Sequence, residues 1–422
     1  MKHIYIIDEH QSSKQNGVGT YIQQLLNCFE GSEHDVNLLS FNSDEKEFKV
    51  ERSSFYTEYH FPICGNHGFL QNGALSISIL RLYLSDNKDN VFFVNHSPCV
   101  QFLKTIKKQF PLSRIIFVIH DQGWCAPLLG DVDLFKKVIS VRHIPKDMIQ
   151  KWQFIRRYYR EECKMYSIVD DVVSLAEQTK RILEDIYHVK SSKIHLIPNG
   201  RKVESQLLSE KELARLRMEL GIGKDENVFL YAGRTVESKG IIPLLMAFES
   251  AYKKYKDIRL VIAGQVFMLN DYARITKCSC SHIVYTGLIP REEMEKWYQV
   301  ADVCVLPSYT EQCSYFGIEM LAHGKLIVAT TGHNMKEMFN KRLSIILNNI
   351  GATGTNDFAD RLEKAFLNVL KISDNQQKRY KREARLQYEK KYMLEHMRYS
   401  YIQLINLESK KIQPRMRTIK NQ

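Results

Sequence analysis

Ten short runs rich in β-branched and aromatic residues alternate with longer amphipathic stretches, and this alternation limits the fold more than any other feature. The runs fall into two series of five, at 3–8, 36–41, 90–95, 114–120 and 170–175, then at 228–233, 259–264, 283–287, 303–308 and 326–331. Each reads as a near-continuous apolar stretch, the pattern of parallel strands covered on both faces. Helical stretches such as 241–255, 291–300 and 358–371 separate them. Strand–helix–strand units in tandem predict an α/β chain with two doubly wound, Rossmann-like domains. A length of 422 residues agrees with this, given roughly 150 residues per domain.

The strand ending in IPNG (197–200) marks the boundary, giving a first domain over 1–200 and a second over 201–392. The Gly- and Pro-free stretch 379–408 predicts a helix long enough to run back across both domains, with 393–410 packing on the first. Residues 411–422 read as a basic tail.

No run approaches the ~20 apolar residues of a membrane span, and the opening MKHIYIIDEHQ reads as a first strand rather than a secretory signal. An odd count of nine cysteines cannot pair completely, and Cys278 and Cys280 lack a second pair at zinc-site spacing. Reduced thiols in the cytoplasm, with no metal site, are therefore expected. The net charge of +12 is unevenly spread: 101–160 holds 12 Lys/Arg against 4 Asp/Glu, and 378–422 holds 13 against 4. Two basic regions suit an anionic surface, a membrane leaflet or a phosphorylated acceptor; they also fit two solvated helix faces and a tail. No nucleic-acid reading motif accompanies them.

Four motifs carry chemistry. In PSYTEQCSYFGIEMLAHG (307–324), Glu311 and Glu319 flank a loop between a strand end and a helix predicted to begin near Gly317. Ligands of open α/β sheets bind beyond the carboxyl ends of strands. Glu311 is placed there to accept hydrogen bonds from sugar hydroxyls, Glu319 suits a ribose diol, and the helix N-terminal amides around Ser314, Tyr315, Phe316 and Gly317 suit a diphosphate or sugar hydroxyls. In YAGRTVESKG (231–240), Arg234 and Lys239 follow a strand. Two fixed cations stabilise the charge that develops on a diphosphate leaving group without a metal. In NGVGTYIQQLL (16–26), Gly17 and Gly19 let a backbone approach a phosphate or sugar, or make a plain turn, and complete no dinucleotide fingerprint. In FVIHDQGW (117–124), His120 and Asp121 are placed to position the transferred sugar or bind an acceptor, or to cap a loop.

These pieces, in this order and together with SLAEQTKRIL (174–183), IPNG and LVIAG (260–264), resemble the family-4 glycosyltransferases of the GT-B fold over about 5 to 400. The resemblance implies two Rossmann-like domains facing across a cleft, with a C-terminal helix crossing back to the first. It implies a retaining, metal-independent transfer of a sugar from a UDP- or GDP-type nucleotide donor to an acceptor hydroxyl, in bacterial glycan, glycolipid or glycoconjugate synthesis. Arg234 and Lys239 would contact the donor diphosphate, Glu319 the ribose, Glu311 the donor sugar, and Gly17 and Gly19 the phosphates. His120 would contact the sugar near the scissile bond, and Asp121 the acceptor. No cofactor is implied. The acceptor would be lipid-linked or a larger glycoconjugate, reached from the inner face of the cytoplasmic membrane; the oligomeric state is left open. A nucleotide-sugar epimerase, a small-solute glycoside synthase and a silent binding module stand as alternatives. Three departures from the family pattern are visible: Gln312-Cys313-Ser314-Tyr315 replaces Gly-rich residues, Arg201-Lys202 follows IPNG, and TTGHNMKEMF (330–339) lacks the usual Gly-Gly-x-Pro-Glu run.

Overall fold

A computed structural model describes residues 1–14, 16–63, 77–96, 99–203, 208–348 and 354–407. The first sheet contains β1 (His3–Glu9), β2 (Asp35–Ser43), β3 (Lys49–Arg52), β4 (Thr57–Pro62), β5 (Asn90–Val94), β6 (Arg114–Val118), β7 (Asp171–Ser174) and β8 (Ile194–Leu196), in the order β3-β4-β2-β1-β5-β6-β7-β8. The second contains β9 (Asn227–Ala232), β10 (Ile258–Ala263), β11 (Ile283–Gly287), β12 (Val303–Leu306), β13 (Leu326–Thr330) and β14 (Ile345–Leu347), in the order β11-β10-β9-β12-β13-β14. All neighbours pair in parallel except β3 with β4.

Strands β5, β6 and β13 are buried at every residue because helices cover both faces of each sheet. Strands β3 and β4 were not among the expected runs. Strand β3 is KVER, exposed throughout, and a charged edge of this kind discourages pairing with another chain.

The strand order reverses at β1/β5 in the first sheet and at β9/β12 in the second. Such switch points open a crevice beyond the carboxyl ends of the strands. The two crevices face each other across a cleft that is tied along one side. Thr179 Oγ1 donates to Gln312 Oε1 at 2.8 Å, and Asn199 Nδ2 donates to the Cys313 carbonyl at 2.7 Å. The Glu337 carboxylate accepts the backbone N–H groups of Glu177 and Gln178, both at 2.9 Å. A second-domain acid thus caps the first-domain helix Glu177–Asp185, whose terminal amides need an acceptor.

The expected single C-terminal helix is two. Helix Asp374–Lys391 packs on the second domain, the chain breaks at Tyr392–Met393, and Leu394–Asn406 packs on Gly17–Phe29 in the first. The break is read by the linker: Arg201 N–H donates to the Tyr392 carbonyl at 3.0 Å, and Tyr388 Oη donates to the Arg201 carbonyl at 2.9 Å. Two arginines then seal the return. Arg398 donates to the Asn27 and Glu30 carbonyls at 2.7 and 3.0 Å, and Arg114 to those of Leu404 and Leu407 at 2.8 and 3.1 Å. Each satisfies carbonyls that a helix end leaves without intrahelical partners. The tail 411–422 lies outside the described residues.

Candidate active site

In the second-domain crevice, the turn after β9 carries Arg234 and Lys239, and the loop after β12 carries Glu311. The turn is closed by Gly240 at φ +71°, where a Cβ would sit 2.1 Å from the Pro307 carbonyl oxygen, so only glycine brings the two loops together. Lys239 Nζ lies 2.8 Å from Glu311 Oε1 and donates to the Thr310 carbonyl at 3.2 Å. Ser308 Oγ donates to the same Glu311 oxygen at 2.8 Å. Arg234 is exposed at the mouth, its carbonyl held by Tyr231 Oη at 2.8 Å.

The helix after Glu311 begins at Tyr315, not near Gly317, with Ser314 as its N-cap; Ser314 Oγ accepts the Gly317 N–H at 3.2 Å. Two expected donor-binding side chains face elsewhere. Phe316 is buried beside Tyr231 and Tyr298, and a Cβ on Gly317 would sit 2.8 Å from Met338 Cε. Both pack this helix, leaving only their backbone for a ligand. Glu319 is ion-paired to Arg201 and accepts a hydrogen bond from Tyr298. Arg201, noted above only as a departure after IPNG, thus enters the crevice from the interdomain linker.

In the first-domain crevice, Asn16 caps helix Gly17–Phe29 by accepting the Val18 N–H at 2.8 Å. A Cβ on Gly17 would sit 4.0 Å from Tyr315 Cδ2, so Gly17 faces the opposite domain. Gly19 does not: a Cβ there would lie 2.6 Å from the Ser13 carbonyl oxygen, and its bareness serves packing against the short helix His10–Ser13 after β1. His120 lies beside Tyr21, ring centroids 4.3 Å apart, with Nε2 3.3 Å from Asn95 Oδ1. Burial, aided by the nearby His96, holds its imidazole neutral with a pKa of about 3. Asp121 is open to solvent but flanked by both cleft walls. Desolvation there raises its pKa, against the Gln122 amide and the charges of Lys239 and Arg234, while Glu311 adds to the rise. Asp121 thus lies within electrostatic reach of Arg234, Lys239 and Glu311 across the cleft, with His120 next to it in the chain.

Sequence reading missed three groups around this site. Glu162 is 1% exposed and holds the turn after Asp121, with Oε1 accepting the Gly123 N–H at 2.8 Å. Asp8 at the end of β1 lies 3.6 Å from His10 and 3.7 Å from His96. Asn334 joins the tied side, donating to the Thr179 hydroxyl at 3.0 Å and the Glu311 carbonyl at 2.8 Å. None sits at a diagnostic spacing; the only signal was Glu162 as an acid on a helix face otherwise buried. Among the described residues, no cluster of three or more His, Cys, Asp or Glu is placed to hold a metal, and no helix is long and apolar enough to cross a membrane.

Residues 15–205 match the family described as Glycosyltransferase Family 4, and residues 226–368 match Glycosyl transferases group 1. Among curated proteins, the chain is 23% identical over 271 residues to the lipopolysaccharide 1,2-N-acetylglucosaminetransferase of Salmonella typhimurium, covering 61% of this chain and 59% of that protein. It is 32% identical over 167 residues to the alpha-monoglucosyldiacylglycerol synthase of Streptococcus pneumoniae, covering 38% and 37%. The chain therefore spans less than two thirds of either relative's length. Among solved structures, the sucrose-phosphate synthase of Thermosynechococcus elongatus superposes with a TM-score of 0.71 at 17% identity, covering 96% of this chain and 98% of that one. Both family matches are to glycosyltransferases, so the epimerase alternative finds no support. With one such segment on each wall of the cleft, this chain belongs to the family-4 glycosyltransferases of the GT-B fold.

Proposed function

We propose that the protein is a retaining glycosyltransferase that moves a sugar from a UDP- or GDP-type donor to a hydroxyl of a membrane-borne or glycoconjugate acceptor. The observation that carries this reading is the Lys239–Glu311 pair at 2.8 Å, set at the second-domain switch point opposite His120 and Asp121. The diphosphate binds over Arg234, Lys239 and the amides at the start of helix Tyr315–Ala322, and the two cations stabilise charge as the glycosidic bond breaks. Glu311 accepts hydrogen bonds from the donor sugar. Glu319, oriented by Arg201 and Tyr298, keeps lone pairs for the ribose hydroxyls. Neutral His120 offers a hydrogen bond near the reacting carbon without placing a cation beside it. The leaving phosphate takes the acceptor proton on the face it departs from, so configuration is kept. The chain's own cations serve the leaving group, and no metal is assigned a role.

The acceptor reading rests on the outer face of helix Ile149–Ile168. Lys151, Arg157, Arg160 and Lys164 are exposed there with Ile149 and Phe154, and the Arg157 guanidinium lies 5.8 Å over the Phe154 ring. Basic side chains beside exposed apolar ones suit the surface of an anionic leaflet. Two of the relatives are named for lipopolysaccharide and glycolipid synthesis, in keeping with work at the inner face of the cytoplasmic membrane.

A thermal-shift series with UDP- and GDP-sugars tests the donor half, since a true donor stabilises the fold by mass action. One of them should raise the Tm of the wild type and not that of a Lys239→Ala variant; no shift with any nucleotide sugar defeats the reading. Co-sedimentation with phosphatidylglycerol vesicles tests the acceptor half. Binding at low salt should fall on Arg157→Glu with Arg160→Glu, and absence of binding by the wild type rejects the membrane.

A further inference from the structure

Glu162 sits in the middle of helix Ile149–Ile168, and no motif above includes it. Its two oxygens are fully engaged: Oε1 accepts the Gly123 N–H at 2.8 Å, and Oε2 accepts the Tyr187 hydroxyl at 2.5 Å. Among the described residues no basic side chain pairs with it. The titratable groups packed around it are Asp121 and Cys125 from the turn, Cys163 and Tyr166 from its own helix, and Tyr187 from beyond helix Glu177–Asp185. All are neutral or acidic. Burial pushes its carboxyl up to about 7, against the pull of the Tyr187 and Gly123 bonds, with Asp121 adding to the rise.

A carboxyl buried without a cation lowers stability, so its place here calls for a specific partner. That partner is the turn that presents Asp121. Gly123 lies so close to Tyr158 that a Cβ would sit 2.5 Å from the ring. Trp124 stacks on Phe135 with centroids 4.6 Å apart, and reaches His333 of the second domain at 5.1 Å. Asp121 Oδ1 in turn accepts the Gln122 N–H at 2.9 Å. The turn is thus pressed between Tyr158, Phe135 and the second domain, and the Gly123 amide is the one backbone donor that the helix beneath it takes up.

We propose that Glu162 is the positioning residue of the His120–Asp121 turn, fixing Asp121 opposite Lys239, Arg234 and Glu311 through the Gly123 N–H. The inference rests on the glycosyltransferase reading for its consequence in turnover, but not for the anchoring itself. A charged acceptor grips an amide more firmly than a neutral one, so the turn tightens as Glu162 loses its proton across neutral pH.

The test uses the full chain as wild type, Glu162→Gln and Glu162→Ala, from pH 5.5 to 8.5. Hydrogen exchange of the 120–125 segment, as protection factors corrected for pH, reads the anchoring without turnover. UDP release from UDP-glucose reads its consequence. The wild-type segment should gain protection about three- to tenfold between pH 6 and 8. Glu162→Gln, which keeps an acceptor for Gly123 and the fold, should lose that pH dependence while holding the donor KM within about twofold. Glu162→Ala should lose protection at every pH, with kcat down at least about tenfold. Pre- and post-neutral protection that is equal in the wild type, or unchanged protection in Glu162→Ala, overturns the proposal. A wild type that shows the exchange behaviour and turns over no donor leaves the anchoring standing and sinks the glycosyltransferase reading instead.

Discussion

The two sheets reverse strand order at equivalent points, yet the crevices that open there treat charge in opposite ways. The second domain pairs Lys239 with Glu311 and Arg201 with Glu319, and exposes Arg234 at the mouth. The first domain suppresses charge at the His120–Asp121 turn, although Asp8 at the end of β1, beside His10 and His96, is held ionised with its pKa lowered. His120 is held neutral, the Asp121 carboxyl is raised, and Glu162 titrates at about 7. The difference follows from what each side is proposed to meet. A diphosphate brings charge of its own and needs fixed cations, which a protein can hold ready only against counter-charges. An acceptor hydroxyl and a reacting sugar carbon bring none, and a desolvated wall there strengthens each hydrogen bond it makes.

The contrast is broken most directly by substitution. Lys239→Ala removes a donor cation and strands the Glu311 carboxylate, so kcat/KM for transfer should fall by about 10²–10³-fold with the fold intact. Asp121→Asn should cost about tenfold or less, because desolvation by the flanking cleft walls already raises its pKa and Asn keeps the side-chain oxygen that accepts the Gln122 N–H. Steady-state kinetics on the two variants check this, and equal losses would erase the distinction between the walls.

A smaller effect separates the two suppressed groups by pH. His120 has a folded pKa of about 3, below the ~6.5 of an unfolded histidine. Its contribution is present above about pH 6.5 and is lost as pH falls toward 3. Glu162 runs the other way: its folded pKa is about 7 against 4.5, so its contribution is present below about 4.5 and is lost as pH rises through 7. Glu162→Gln should therefore raise stability at pH 8 by roughly 2–3 kcal/mol and leave it little changed at pH 5. Urea unfolding at the two pH values decides it. A gain at pH 5 as large as that at pH 8 contradicts the assignment.

The smallest effect distinguishes two glycines two residues apart. Gly19→Ala pushes a methyl to 2.6 Å from the Ser13 oxygen and should lower stability by about 1–3 kcal/mol. Gly17→Ala meets only the Tyr315 ring at 4.0 Å and, at the first position of its helix, should be neutral or gain less than the ~1 kcal/mol of a helix interior. Thermal unfolding of both variants sharpens the line between a cleft-facing glycine and a packing one.

Much of the architecture was legible because buried parallel strands advertise themselves as apolar runs; β5, β6 and β13 are examples. Strands β3 and β4 were not, since β3 is the exposed edge and β4 beside it is only half-buried, so KVER and TEYHFP carry no such run. The helix break at Tyr392–Met393 was illegible for another reason: what stabilises it is the backbone of Arg201, 191 positions earlier. At the site, Arg234, Lys239 and Glu311 could be grouped in advance because each follows a strand of one sheet. Phe316 and Gly317 shared that neighbourhood in sequence, and only the helix's rotation turned them into the core.

The sequence by itself determined that there are two doubly wound domains and which loops end in the cleft, because both follow from local periodicity and from residues next to strand ends. The tertiary structure decided how those loops are held. Arg201 on Glu319, Glu337 on the helix at Glu177, and Glu162 beneath Asp121 are contacts between residues distant in the chain, where folding alone supplies the partner and the local spacing carries no trace of it.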